Sequence, residues 1–320
     1  MSMIDATASV RRVGQGSRRV RLPRPLGAAA GVLLDRALGE PPGAVHPVAL
    51  FGRLMAGVER TCYAERRGAG VAHAGAGTGI GLGAGAVLGS TTVAVALAVA
   101  GRGLAHAAAE AGAALQAGDL DRARSLLPSL VGRDPAGLDA QEMARAIVES
   151  VAENTVDAVV APALWGALAG APGALGYRAV NTLDSMVGHH SARYEHYGWA
   201  SARLDDAAAW VPARLTAALV MLVRPGQCRE VRRAVRTQAP GHPSPNAGVA
   251  EAAFAAALGL RLGGLNRYGE RTELRVPLGF GRPAEPGDIA RAVRLSHDVG
   301  TALAAGLGAL GGARALRRRR

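Results

Sequence analysis

"ESVAENTVDAVVAPALWGALAG", residues 149–170, opens with three acids in nine residues and closes in a run apolar enough for a membrane interior. At about 100° per residue, a four-residue step returns to nearly the same helix face. Glu149, Glu153 and Asp157 therefore form one stripe, which Arg145 extends by a further step. A solvated helix face is the plain alternative, because i,i+4 pairs support such helices. Arg145 can pair with only one of the three acids, however, and the other two repel. Beyond the stripe, the 20 residues between Asp157 and Arg178 carry no charge, and Pro162, Pro172 and several glycines break them. That is the pattern of a kinked or re-entrant span.

Working outward, the 34 residues between Arg67 and Arg102 also lack Asp, Glu, Lys and Arg. About 20 apolar residues suffice to cross a bilayer, so this is the clearest spanning candidate. Gly77, Gly81, Gly85 and Gly89 recur at every fourth position and line one helix face. A nucleotide-binding glycine loop is a poor match, because no strand precedes it and the third glycine of G-x-G-x-x-G is missing. A packing face between membrane helices fits better. Residues 102–157 read as soluble and helical, with Asp139 and Glu142 in capping-box spacing. The apolar segments 207–223, 247–260 and 299–313 are short enough for half-helices or buried soluble helices. Residues 281–288 read as a turn-rich connector before the final helices. Strand signals are weak throughout. The expected fold is all-α, a multi-pass integral membrane protein with polar helical loops. Residues 1–24 form a disordered basic arm, 25–313 one membrane-embedded helical catalytic domain, and 314–320 a basic tail.

The chain has 320 residues and a net charge of +12, and every basic residue is arginine. Without lysine, neither a Walker A loop nor a pyridoxal-phosphate Schiff base can form. Cys62 and Cys228 stand alone, with no spacing for a disulfide framework or a zinc site. The arginines crowd both ends but lack interleaved aromatics or a nucleic-acid signature, so nucleic acid is not an expected partner. The positive-inside rule instead places both termini in the cytoplasm, which implies an even number of crossings.

Three further polar clusters sit beside apolar spans, where burial is costly without a purpose. In "YRAVNTLDSMVGHHSARY", 177–194, Asn181, Asp184 and Ser185 share a helix face. "GWASARLDDAAAWVPARLT", 198–216, carries Arg203 with the pair Asp205 and Asp206. In "GHPSPNAGVAEAAF", 241–254, two prolines bar helix, and Asn246 is placed to cap the helix that carries Glu251. Carboxylates with Asn and Ser are oxygen donors that suit Mg²⁺ rather than zinc. Arg178, Arg193 and Arg203 could hold phosphate or carboxylate through forked hydrogen bonds. His46 and His242 each precede proline and could contact phosphate, whereas the adjacent His189 and His190 read as surface residues. Trp165, Trp199 and Trp210 mark membrane interfaces or core.

"VESVAENTVDAVVAP", "GAPGALGYRAVNTLDSMVG", "SARLDDAAAWVPARLT" and "HPSPNAGVAEAAFAAALGLRLGG" closely resemble the adenosylcobinamide-phosphate synthases, the CobD/CbiB-type membrane proteins of cobalamin biosynthesis. "LDRALGEPPGAVHPVALFGR" near the start and "LVGRD" at 130–134 fit as well, and the likeness runs from about residue 33 to 283. The resemblance implies ligation of (R)-1-amino-2-propanol, or its phosphate, to a propionate carboxylate of adenosylcobyric acid, with ATP as co-substrate and Mg²⁺. Glu149, Glu153, Asp157, Asp184, Asp205 and Asp206 would then supply metal ligands or a base, with Glu149, Glu153, Asp184 and Asp205 as the metal set. Asn154, Asn181, Ser185 and Asn246 would orient substrates, Arg203 would neutralise phosphate, and Arg178, His242, Ser244 and Glu251 would complete the substrate site. A bacterial inner-membrane location follows, with homo-oligomers or contacts to other corrin-pathway membrane enzymes left open.

The sequence departs from the family at Ala158, usually Gly, at Ala207, and at "GHH" 188–190, usually Gly-Tyr. Two other readings use the same residues: a Mg-dependent prenyl-type transferase, although Asp205 and Asp206 lack its D-x-x-D spacing, and a non-catalytic transporter.

Overall fold

The computed structural model describes residues 22–41, 46–132, 135, 137–268 and 271–317. Most of the basic arm, the last three arginines, and Arg133 and Asp134 of "LVGRD" lie outside this set, as do residues 42–45. Twelve α-helices are present among the described residues: α1 Arg24–Leu38, α2 Pro47–Cys62, α3 Arg67–Leu88, α4 Thr91–Ala98, α5 Gly101–Gln116, α6 Leu120–Leu126, α7 Ala140–Thr155, α8 Ala161–Val187, α9 Trp199–Val223, α10 Cys228–Thr237, α11 Ala247–Leu258 and α12 Pro286–Arg317. A π-helical turn, Val156–Val160, joins α7 to α8. The helical architecture is as the sequence indicates. The uncharged run after Arg67 is divided in two, because Gly89 adopts a left-handed conformation that ends α3 before Ser90 caps α4.

Five helical segments are long and apolar enough to cross a membrane: α3, the α4–α5 pair, the continuous stretch Ala140–Val187, α9 and α12. Segments 207–223 and 299–313 are therefore not half-helices but parts of α9 and α12, while α11 is the short buried helix. The 281–288 connector holds a short strand and the first residues of α12, which is the one helix after it. These are not five single crossings, because the stretch that holds α7 and α8 turns back on itself. Within α8, Gly170 has φ 74° and ψ −154°, a backbone open only to glycine, and the helix reverses there. A Cβ on Gly166 would lie 3.5 Å from Ala174, and one on Gly173 would meet the Trp165 carbonyl across the reversal. The segment is thus re-entrant, as its prolines and glycines suggest.

Small residues set the helix spacings. Gly77, Gly81 and Gly85 of α3 are buried against the second limb of α8, whereas Gly89 is exposed at the helix end and does not extend that face. A Cβ on Gly81 would fall 2.6 Å from Ala179 Cβ and 2.8 Å from the Leu175 carbonyl. Gly27 and Gly31 of α1 meet Thr91 and Val95 of α4 in the same manner. Without an oil–water difference to drive helices together in lipid, such close approach supplies the packing energy.

The sequence reading gave no strands, and here it is corrected. Strands β1 Leu260–Tyr268, β2 Arg271–Leu278 and β3 Arg282–Pro283 form a small sheet of order β2-β1-β3, with β1–β2 antiparallel and β1–β3 parallel. Its strands are Arg- and Gly-rich and lack the alternating apolar period by which strands are recognised. Leu260, Leu262 and Leu278 anchor it in the core. Replacing Gly81 by Val should cost about 1–3 kcal/mol by overpacking the α3–α8 contact. The same change at Gly79, where nothing lies within 4 Å, should be tolerated; melting curves of the two variants in detergent check the contrast.

Candidate functional site

The reversal at Gly170 brings the second limb of α8 back beside the π turn. Tyr177 donates its hydroxyl to Asp157 Oδ1 at 3.1 Å, although the two residues stand 20 apart in the chain. One turn further on, Asn181 Nδ2 donates to Asp205 Oδ1 of α9 at 3.3 Å, and Arg178 Nη1 lies 3.5 Å from Asn181 Oδ1. Asp157 and Glu153, Asp184 and Glu153, Asp184 and Asp206, and Asp205 with both Asp157 and Asp184 lie within electrostatic reach of one another. Five carboxylates from α7, the π turn, α8 and α9 therefore face a common region. Asn246 ties in the loop before α11, donating Nδ2 to the Asp206 carbonyl and accepting from Arg214 Nη1, each at 2.8 Å.

Glu149 does not join this group. The stripe divides within α7, with Glu153 staying beside Asp157 of the π turn while Glu149, one helical turn earlier, is taken up elsewhere. Glu149 is buried instead under the hairpin, where Oε1 accepts from the Gly263 amide at 2.8 Å and from Arg145 at 3.4 Å. Arg145 also donates to the Gly263 and Leu265 carbonyls, at 2.5 and 2.8 Å. Its neighbour is a second polar cluster. His242 Nε2 lies 3.6 Å from Glu251 Oε1 and 3.3 Å from Arg275 Nη1, and Arg275 Nε donates to Glu273 at 3.2 Å. Ser244 Oγ, not Asn246, caps α11, accepting from the Ala247 amide at 3.1 Å. The candidate residues thus fall into two groups, one at the re-entrant limb and one beneath the hairpin.

The others are placed as follows. Asn154 Nδ2 donates to the Ser150 carbonyl of its own helix at 3.0 Å, and Ser185 Oγ donates to the Asn181 carbonyl at 3.0 Å. Arg203 is largely exposed and stands 4.0 Å from Asp206. Arg193 is taken up by Glu59, at 3.0 Å, and stacks on Tyr63. His189 and His190 lie at the surface, as expected.

Among the described residues, no three His, Cys, Asp or Glu side chains are arranged to hold a metal by themselves. The donor chemistry nonetheless suits Mg²⁺, which keeps several waters and needs only one or two carboxylates besides substrate phosphate. Asp184 and Asp205, within electrostatic reach of each other, could take that part, and Glu153 interacts with Asp184. Glu149 is engaged elsewhere.

The model of the family described as "CobD/Cbib protein" matches residues 28–296. The chain belongs to the CobD/CbiB family. Relatives named "Cobalamin biosynthesis protein CobD" include that of Mycobacterium tuberculosis strain H37Rv, 47% identical over 289 residues, which cover 86% of this chain and 92% of the relative. The relative of the same name from Chromobacterium violaceum is 44% identical over 281 residues, 82% of this chain and 89% of that one. No solved structure matches.

Three residues of this CobD/CbiB chain escaped the sequence reading. Tyr177 becomes relevant only once the helix reverses, and Arg275 sits in the unrecognised sheet. Glu40 lies 2.9 Å from His46 and interacts electrostatically with Arg178, so it lies close to the acidic group. Burial, with Arg275 alongside and despite the Ser244 backbone, lowers the His242 pKa from the ordinary 6.5. The folded protein then holds His242 neutral while the unfolded chain takes up a proton below about pH 6.5, so its stabilising contribution falls as pH drops. Melting temperatures from pH 7.5 to 5.5 should decline for the wild type and decline less for His242→Gln.

Proposed function

We propose that this protein acts in cobalamin biosynthesis as an amide-forming synthase, joining aminopropanol or its phosphate to the propionate carboxylate of adenosylcobyric acid. The convergence of Asp157, Asp184 and Asp205 with Asn181 carries this reading, in the context of relatives named for that pathway. A carboxylate and an amine do not condense in water unaided, and Mg-ATP would supply the activation. Asp184 and Asp205 would hold the cation, with Asn181 fixing the Asp205 carboxylate. Asp157, one oxygen held by Tyr177, is assigned to accept the proton of the attacking amine. Arg178 would neutralise phosphate charge from within the site and Arg203 from its exposed edge.

The apolar helices support a membrane location, and the site would lie where the re-entrant limb meets water. The exposed arginines of α10, Arg229, Arg232, Arg233 and Arg236, favour the cytoplasmic leaflet for that face.

Membranes containing the protein, supplied with adenosylcobyric acid, Mg-ATP and each amine donor, should form adenosylcobinamide or its phosphate, read by chromatography. Asp205→Asn and Asp184→Asn should each lower turnover at least about 100-fold, the scale of a lost catalytic group, and Glu153→Gln should abolish it, with the protein still inserted. Full turnover in both aspartate variants, or product without ATP, would overturn the proposal. Glu149→Gln should instead act chiefly through stability, by leaving the Gly263 amide without its buried partner, and a melting curve separates the two effects.

A further inference from the structure

The contacts between helices define two ends of the membrane bundle. Gly27 of α1 meets Thr91 of α4, Gly85 of α3 meets Pro172 beside the α8 reversal, and Arg24 donates to the Leu168 carbonyl at 3.1 Å. The start of α1, the end of α3 and the turn at Gly170 thus share one end. The last turn of α1, the start of α3 and the close of α8 lie at the other, where Gly70 of α3 abuts the Tyr197 carbonyl in the segment between α8 and α9.

Helix α9 meets that second end twice. Arg67, the first residue of α3, stacks over Trp199, the first of α9, at 5.1 Å. Just past the close of α9, Arg224 donates to Asp298 of α12 at 2.7 Å. Three residues further along α12, Thr301 accepts from Arg36 in the last turn of α1, while Gly311 abuts Leu26 at the first end. A 25-residue helix is about 37 Å long, and one whose two termini meet the same end of a bundle runs across it rather than through it.

The outward face of α9 suits that course. Trp199, Arg203, Trp210 and Arg214 fall within about 60° of one another around the axis. Trp199 and Trp210 are 40% and 54% exposed, and the Arg214 guanidinium stacks over Trp210 at 4.5 Å. In a crossing helix Arg214, near its midpoint, would stand near the bilayer centre, where arginine is among the costliest residues. Tryptophan beside arginine is the composition of the headgroup layer. We infer that α9, although long and apolar enough to cross, lies flat in the headgroup layer with this face against phospholipid. Asp205 and Asp206 ride on it, so the acidic group sits at that depth whatever reaction it serves.

Thiol labelling in sealed membrane vesicles tests this without any assay of turnover. In a Cys62→Ser/Cys228→Ser background, Arg203→Cys and Leu222→Cys place one thiol near each end of α9, at exposed positions. A membrane-impermeant maleimide should label both from the same side. Labelling of the two from opposite sides would mean that α9 crosses, and would overturn the inference. Depth is read separately in bilayers of phosphatidylglycerol and phosphatidylcholine, with Trp165→Phe/Trp199→Phe leaving Trp210 as the one tryptophan. A lipid spin label near the headgroup should quench its emission at least about twofold more than one at the chain end, since Trp210 is also near mid-helix and would lie deep in a crossing α9. Stronger quenching by the deep label would restore a crossing, and none at either depth would put this face in water or against another protein; both results overturn the inference. Trp165 also donates to the Ala208 carbonyl at 3.0 Å, so if the tryptophan variant fails to fold, the thiol pair decides.

Discussion

A helix cannot bring residues 20 apart into hydrogen-bond contact, since a straight one would hold them about 30 Å from each other. The contact between Tyr177 and Asp157 therefore requires a reversal, and it falls on Gly170, whose positive φ no other residue takes cheaply. From that turn the rest follows. The returning limb offers Tyr177, Arg178, Asn181 and Asp184 to the side of the π turn, and α9 adds Asp205 and Asp206. The glycine face of α3 then holds the limb from behind, at distances that leave no room for a Cβ.

Gathering five carboxylates beside apolar helices is unfavourable, and the structure offsets it by fixing the frame rather than by neutralising each acid. Few cations enter: Arg178 lies among them and Arg203 at the edge. Hydrogen bonds from Tyr177 and Asn181 each orient a single oxygen of Asp157 and Asp205. The arrangement differs in kind from the cluster under the hairpin. There Glu149 and Arg145 bond each other and the hairpin backbone, and Glu251 lies within ion-pair distance of His242 and Arg275, so the cluster ties the sheet to α7 and α11.

How far the sequence discloses this varies with the physics involved. The capping box at Asp139 and Glu142, the re-entrant span and the α3 packing face depend on local residue type, and all are legible. The pairing of Asn181 with Asp205 depends on two helices meeting, and only their motif character hints at it. The division of the Glu149 stripe was not legible, because Glu149 is drawn off by the Gly263 amide of a sheet that the sequence did not disclose. The sheet was missed for want of periodicity, and with it Arg275. Asn246 shows a subtler limit: it occupies the cap position but spends its side chain on α9, while Ser244 does the capping.

The π turn also frees backbone. The Ala158 carbonyl accepts from the Ala100 amide, at 2.9 Å, just before α5 begins. The peptide that follows Ala158 is thereby stitched to the start of the helix whose first amides hold Asp35. The link runs through main-chain atoms that every amino acid shares. A tie of this sort is invisible to alanine scanning, and only altering the peptide link itself, as an ester replacement does, would sever it.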